Sequence, residues 1–557
     1  MLSNSLIDSL FPAELPEPAH WEGLYPPRDL PASAGVTRFC PSPTGPLHIG
    51  GIDVAVIDRS LADATGGRYL LRVEDTDQAR EVPGVRDQFA RAFDYFGLLP
   101  DESDLAGLAH GDYGPYTQSA RVDIYRTYVR DLMRRGLAYP CFATREELAE
   151  TTARQQAAKV PTGYYGQWAR WRDAPAAEVE SALAAGRPYV VRFRSDAAPG
   201  ERVSYVDAIR GRIEFDANRN DVVILKSSDQ PVPLPTYHFA HAVDDHLMRV
   251  TLVLRADEWL SSVPLHLQLF DALGFDRLEY AHIAPLLKRD GGGKRKLSKR
   301  KDPEASVDFY LREGYPAEAV LYYLRGLING RLAELPLPEA LAAEIRLDQC
   351  GVSGALVDMV KLAGICADYI ATVPGEQILV AVGEWAAAYD PELAEVLAAE
   401  PELALRALAV ERDGVANPRK DLRKWSDFRP VYGYFLPALF HPAGDAAAEF
   451  FPEVPAEVVR AFAAAFAKSY EPIADPQMWF DQIRTTAAAH GFAASPREHK
   501  AAPGVYHGSI REAAQLIRVA LTGSTRSPDL HAVAMTLGPA EVLRRVRALT
   551  GDPMPHP

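Results

Sequence analysis

The chain has 557 residues, 24% of them charged and 47% hydrophobic, and carries a formal net charge of −15. At ~150 residues per domain this length implies about four domains and at least one large core, with the composition of a globular protein. No run of ~18 apolar residues is available to span a membrane. The N-terminal stretch MLSNSLIDSLFPAELPEP has neither the basic leader nor the apolar run of a signal peptide, and Pro12 stops any short helix early. The four cysteines, Cys40, Cys141, Cys350 and Cys366, lack CxxC spacing, which argues for reduced thiols in a cytoplasmic protein and against a disulfide framework or zinc site.

An acidic total excludes an indiscriminate nucleic-acid binder, which would be basic overall. Local basic patches on an acidic chain fit a selective, salt-sensitive partner instead. Two such patches run from Lys288 to Lys301 and from Arg419 to Lys424. A charge run is more often simply a solvated face, so neither patch decides the matter alone.

In chain order, Thr37-Arg38-Phe39-Cys40 predicts a short strand, broken by Pro41 and Pro43. A Thr-Gly-Pro turn comes next, with Pro46 expected in the first turn of a helix. Val54, Ile57 and Leu61 share one helical face, and Gly66-Gly67 ends that helix. Arg68 to Val73 predicts a second buried strand, so the segment reads as a right-handed βαβ unit with parallel strands. His48, Gly50 and Gly51 then lie near a helix N-terminus, where unpaired N–H groups favour phosphate. An ordinary βα turn would use the same residues.

The string PSPTGPLHIGG closely resembles the first nucleotide-binding motif of class I aminoacyl-tRNA synthetases in its glutamyl form, and KLSKR at 296–300 resembles their mobile second motif. Between them, VEDTDQAR (73–80), GPYTQSARVDIY (114–125), AYPCF (138–142), DVVILKS (221–227), PTYHFAHAVDDHLM (235–248) and LRADEWLSSVP (254–264) stand in the order of the glutamyl-tRNA synthetase family. The tail IRVALTGSTRSPDL (517–530) resembles the end of its anticodon-binding region.

The resemblance implies ATP-dependent activation of glutamate and transfer to tRNA. It places His48, Gly50, Gly51, Glu258, Trp259 and Lys299 at ATP, with His48, Lys296 and Lys299 as the catalytic set. Gly291-Gly292-Gly293 suggests a loop able to close over the nucleotide. Mg²⁺ is expected with the nucleotide, without a dedicated protein cage. The glutamate pocket is expected to comprise Arg38 for the α-carboxylate, Glu74 for the ammonium, Arg255 with Tyr237 for the side-chain carboxylate, and Ser42 to orient the substrate. Guanidinium groups suit carboxylates because they pair bidentately. Arg255 separates glutamate from glutamine, since glutaminyl relatives carry an uncharged residue there. Two positions depart from the common pattern: Cys40 replaces a small residue, and His241 is a pocket wall or a tuner of specificity. Phe142-Ala143 follow Cys141 where some relatives have a second cysteine, so no structural zinc is expected.

The expected fold is multidomain α/β: a Rossmann-type parallel-sheet catalytic domain (37–114 and 221–302), an acceptor-binding insertion (115–220), a helical stem-contact domain (303–380) and a helical anticodon-binding domain (381–557). Residues 1–36 read as an extension outside the compact core. The aromatic cluster at 164–171 reads as core or as a base-stacking surface. The expected partners are tRNA-Glu, glutamate and ATP, with tRNA-Gln left open, no membrane, and a monomer. Glutaminyl-tRNA synthetase, a shorter glutamyl-queuosine enzyme and a noncatalytic tRNA-binding paralogue are the rivals. Arg255, the long C-terminal half and the intact activation residues argue against them in turn.

Overall fold

The computed structural model describes residues 2–108, 110–441, 450–502 and 504–550. Positions 442–449, 503 and 551–557 of the expected anticodon-binding range, and Met1 and Ala109 of the earlier ranges, lie outside the described residues. The chain divides into two compact units, Met1–Tyr310 with Leu321–Asp358, and Leu311–Val320 with Met359–Pro557.

The first unit opens with helices α1 (Asn4–Asp8) and α2 (Pro18–Leu24). Strand β1 (Val36–Phe39) is buried on both faces, which suits a central parallel strand. Next comes helix α3 (Ile49–Thr65), capped by the His48 side chain, and Gly66 ends it in the left-handed region at φ 66°. The helix begins three residues beyond Pro46, so that proline belongs to the preceding turn. Strand β2 (Arg68–Leu71) pairs parallel with β1, Val36 opposite Arg68. At Gly67 any Cβ would lie 1.9 Å from the Gly35 carbonyl oxygen, so the tight return into β2 requires glycine.

Helices α4 (Val85–Tyr95) and α5 (Val122–Arg134) lead to β3 (Ala138–Cys141), α6 (Arg145–Ala157), α7 (Ala176–Ala184), β4 (Val190–Phe193), the hairpin β5 (Arg202–Asp207) and β6 (Gly211–Asp216), and β7 (Val223–Leu225). Helix α8 (Tyr237–Leu247), β8 (Leu252–Ala256), α9 (Val263–Leu273) and β9 (Glu279–Ile283) complete the α/β layer. Strands β8 and β9 pair parallel, with Arg255 opposite His282. Strand β1 joins β8 through Thr251, whose N–H donates to Val36 O at 2.9 Å and whose Oγ1 accepts from Val36 N at 2.9 Å.

The architecture is the expected α/β layer, but the sheet is mixed. The β5–β6 hairpin, inside the range expected for the insertion, extends it in the order β6-β5-β9-β8. Strand β5 pairs parallel with β9 at Asp207 and Tyr280, and β6 runs antiparallel to β5. Conversely β7, from the range expected for the catalytic half, completes a separate sheet β3-β4-β7. Cys141 is buried there among Tyr139, Phe142, Tyr164 and Trp171, so much of the 164–171 cluster is core.

The N-terminal segment is part of this unit. Trp21 donates to Thr127 Oγ1 at 3.0 Å, Tyr25 OH to Gly114 O at 2.7 Å, and Arg28 pairs with Glu102 at 2.6 Å. Glu22 receives Tyr128, Arg249 and His246 at 2.8–3.0 Å. Residues 2–35 thus form a strap seated on α5 and the end of α8, and not an appendage outside the core.

The second unit is built of helices, among them Met359–Thr372, Gly375–Tyr389, Ala456–Ser469, Pro476–Ala489 and Ile510–Thr522, around a core that includes Trp479, Phe462, Phe435 and Leu516. Its basic patch is largely neutralised: Arg419 pairs with Glu411 and Asp421, Lys420 with Asp368, and Lys424 with Glu313. Arg518 ties down the turn at Ser527 and Pro528.

Candidate active site

Two cavities adjoin at the C-terminal ends of β1 and β8. The first, of about 570 Å³, is bordered by Arg38, Ser42, Glu74, Tyr237, Arg255 and Trp259. The second, of about 690 Å³, is bordered by His48, Gly50, Gly51, Glu258, Lys296 and Lys299. Val54 and Ala256 border both, so a molecule in one can meet a molecule in the other. A site beyond the carboxyl ends of parallel strands is what an open α/β sheet offers.

A buried charge lattice positions the first cavity. Asp244 and Asp245 of α8 face Arg72, Arg38 and Arg121, with Arg72 Nη1 to Asp245 Oδ1 at 2.5 Å, Arg38 Nε to Asp245 Oδ2 at 3.2 Å and Arg121 Nε to Asp244 Oδ1 at 2.7 Å. Arg72 also holds Glu74 at 3.1 Å. Gln118 and Tyr125 donate to Asp244 at 2.9 and 2.8 Å. Three guanidiniums therefore meet three carboxylates, the condition under which buried charge is tolerable. Burial raises the Glu74 carboxyl against the pull of Arg72 and Arg38. Burial opposes the Arg38 cation most strongly, but Asp245 and the other neighbouring groups together raise its pKa.

Arg255 is held differently. Its Nε donates to His282 Nε2 at 3.0 Å, its Nη1 to His266 Nδ1 at 3.2 Å and its Nη2 to the Trp259 carbonyl at 3.4 Å, a long contact. Among the described residues it has no ion-pair partner. Tyr237 packs against Trp259 at 4.5 Å between ring centroids, and burial raises its phenol to about 12. His241, expected in the pocket, is fully buried behind Tyr237 and does not border the cavity. Its Nδ1 lies 2.7 Å from Asp245 and its Nε2 3.1 Å from the Tyr280 hydroxyl. Burial depresses its pKa to about 4, so it stays neutral.

At the second cavity the His48 Nδ1 accepts from Gly50 N at 3.0 Å, which leaves the proton on Nε2, 3.3 Å from the Leu297 carbonyl. Burial lowers its pKa, as do Lys299 and Lys296. Gly51 packs on Phe39, where a Cβ would sit 3.1 Å from the ring. The glycine-rich segment near 291–293 is the turn of a hairpin formed by β10 (Leu287–Asp290) and β11 (Gly293–Lys296). Asp302 anchors the segment after β11: it takes Arg295 at 2.6 and 2.7 Å, Ser298 N at 3.0 Å and Lys288 at 3.2 Å. Lys296 pairs with Glu258, and Lys299 donates to Pro46 O at 2.5 Å. Burial lowers the Lys299 pKa.

Trp259, expected with Glu258 at the nucleotide, borders the first cavity instead. The 3₁₀ turn Asp257–Ser262 rotates consecutive side chains by about 120°, so neighbours face different cavities. Arg72, Asp245, His266, His282 and Asp207 escape the sequence reading, although Asp244-Asp245 lie within the PTYHFAHAVDDHLM string. Asp53, bordering the second cavity, escapes it as well; it is buried, and burial raises its carboxyl well above the usual range.

A family model described as tRNA synthetases class I (E and Q), catalytic domain, matches residues 35–335, and an anticodon binding domain model matches residues 508–550. The chain belongs to the class I tRNA synthetases of the E and Q branch. It is 39% identical to the glutamate–tRNA ligase of Clostridium perfringens (strain 13 / Type A) over 98% of this chain and 100% of that one. It is also 39% identical to the glutamate–tRNA ligase of Sorangium cellulosum (strain So ce56), covering 95% of this chain and 97% of the other. Among solved synthetases, a glutamate tRNA ligase from Elizabethkingia meningosepticum CCUG26117 in complex with its amino acid superposes with a TM-score of 0.70 at 28% identity, over 92% of this chain and 99% of that chain.

Proposed function

We propose that the chain is a glutamate–tRNA ligase whose first cavity takes glutamate and whose second takes ATP. The observation that carries the choice of amino acid is Arg255: a guanidinium at the cavity wall with neutral acceptors around it and, among the described residues, no carboxylate partner. A buried cation facing a neutral amide stays uncompensated, whereas a γ-carboxylate completes it.

In this reading Arg38 meets the α-carboxylate, Glu74 the ammonium, and Ser42 and Tyr237 fix the chain between them. A carboxylate oxygen of glutamate attacks the α-phosphorus of ATP, the bond to the β-phosphate breaks, and pyrophosphate leaves. His48 and the α3 N-terminus hold phosphate oxygens, and Lys299 and Lys296 neutralise charge that develops in the transition state. For those lysines to act, Lys299 leaves Pro46 O and Lys296 leaves Glu258, so loop movement accompanies nucleotide binding. The terminal ribose hydroxyl of tRNA then attacks the activated carbonyl and AMP departs.

Mg²⁺ bound with the nucleotide would supply further neutralisation of phosphate charge; among the described residues no three His, Cys, Asp or Glu side chains converge into a cage for it. No zinc takes part. The insertion grips the acceptor end of tRNA, the second unit reads the anticodon, and the enzyme works as a cytoplasmic monomer. No helix among the described residues is long and apolar enough to cross a membrane.

The test is charging of tRNA-Glu and tRNA-Gln transcripts with labelled glutamate or glutamine at fixed salt and Mg²⁺. Glutamate on tRNA-Glu is the expected product; glutamate on tRNA-Gln as well defines a nondiscriminating enzyme. Acceptance of glutamine would overturn the role given to Arg255.

A further inference from the structure

The hydrogen bonds around Arg255 run in one direction. A guanidinium only donates, so His282 Nε2 and His266 Nδ1 must both accept from it. That leaves the His282 proton on Nδ1, where it donates to Asp207 Oδ2 at 2.6 Å. It leaves the His266 proton on Nε2, which faces His238 Nδ1 at 2.9 Å. Asp207 is in turn fixed by the N–H groups of Ile209 and Arg210 at 3.1 and 3.0 Å. Both tautomers are therefore set by neighbours on separate elements, and the parallel register that puts Arg255 opposite His282 brings the partners together.

Arg38 and Arg72 provide a contrast within the same site. Those cations are clamped by carboxylates, which orient them and offset part of their charge. At Arg255 the clamp is two imidazoles with no charge. They hold the guanidinium in place and leave its positive charge directed at the cavity.

Resting on the reading that Arg255 meets the side-chain carboxylate, we propose that His266 and His282 are specificity-positioning residues: neutral acceptors that fix the Arg255 guanidinium while preserving its charge for that carboxylate. Asp207 and His238 act one step further out by fixing the tautomers. Burial supports the neutral state, since it lowers the pKa of His282, His266 and His238. Protonation of either acceptor would remove its lone pair and set a second cation against the first. The groups facing His282 are Asp207, Arg210, Arg255 and Tyr280. Those facing His266 are His238, His241, Asp245, Arg255, Tyr237 and Tyr280.

The full-length enzyme is assayed by aminoacylation of a tRNA-Glu transcript as His282→Leu, His282→Gln, His266→Leu, His266→Asn and Arg255→Gln. Gln at 282 and Asn at 266 keep an oxygen acceptor near the lost nitrogen. The expected result is a glutamate KM raised about tenfold or more by each Leu variant, with ATP KM and kcat within about threefold and substantial recovery in the Gln and Asn variants. Unchanged glutamate KM in both Leu variants overturns the proposal, and so does a parallel rise in ATP KM, which marks general collapse. The unmodified enzyme provides an independent check: because burial lowers the pKa of both acceptors, glutamate KM should stay flat as pH falls from 8 through the usual imidazole range. A glutamate KM that rises within that range while ATP KM stays flat overturns it. If Arg255→Gln leaves glutamate KM unchanged, the reading of Arg255 fails and this inference with it. If Arg255→Gln raises KM and the Leu variants do not, only the inference falls.

Discussion

His48 and Leu297, 249 residues apart, are joined by a 3.3 Å contact from the imidazole Nε2 to the main-chain carbonyl. The helix-capping histidine of the first motif and the loop of the second are thus already tied before nucleotide arrives. Lys299, two residues on, is held at Pro46.

This geometry makes Lys299→Ala a clean probe of activation. Glutamate-dependent adenylate formation should fall by about 100- to 1,000-fold, the usual loss when one charge-stabilising donor is removed from a transition state. Binding of tRNA, measured by filter retention, should stay within about twofold. Equal loss of both would mean that the lysine serves RNA binding and not chemistry.

Asp302→Ala should loosen the segment that carries Lys296 and Lys299. The carboxylate is held well below its usual range, first by its bond to Arg295, and it organises three partners at once. We expect ATP KM to rise about tenfold while glutamate KM holds, with new proteolytic cleavage between residues 289 and 301. Unaltered proteolysis and ATP KM would show that the loop is held by other contacts.

Arg255→Gln should lower kcat/KM for glutamate by about 100-fold or more, because a buried charge interaction is lost. Steady-state charging with glutamate and glutamine measures it directly. A small effect on glutamate would separate Arg255 from recognition of the γ-carboxylate.

Asp58 offers a stability prediction. It is fully buried on α3, neither carboxylate oxygen has a hydrogen-bond partner among the described residues, and burial raises its pKa well above the ordinary value. The folded protein therefore keeps a proton that the unfolded chain releases. Stability from this group is complete below the unfolded pKa of about 3.9 and is lost as pH rises through the folded pKa. Asp58→Asn has no proton to release, so it should raise stability at neutral pH by about 1 kcal/mol or more and flatten the dependence of Tm on pH between 5 and 8. A variant that melts below the parent at pH 8 would contradict the assignment of a neutral carboxyl.

The residues that border the cavities were largely legible in the sequence because they stand in contiguous strings at strand ends: Arg38 lies near the end of β1, Glu74 follows β2, Arg255 lies near the end of β8, and His48 with Gly50 opens α3. The support behind them was not. His282 lies 27 residues from Arg255, and Asp207 another 75 from His282, joined only by sheet register. Local periodicity carries no record of which strand lies beside which. The same limit blurs the insertion: β5 and β6 precede β7 in the chain yet join β9, so a linear boundary near 220 cuts across two sheets. Trp259 borders the first cavity while its neighbour Glu258 borders the second, because a single step along a tight turn re-aims a side chain.

The N-terminal strap has a consequence for how the protein is made. Glu22 rests on His246 and Arg249, 224 and 227 residues downstream, and Arg28 donates to the Met248 carbonyl. At a translation rate of about 5–20 residues per second, residues 2–35 leave the ribosome more than about ten seconds before their seat exists. Closing so long a loop is entropically costly before its contacts form. The first segment synthesised is therefore among the last to settle, and a nascent chain stalled before residue 249 carries Trp21, Tyr25 and α2 without the complete surface that buries them.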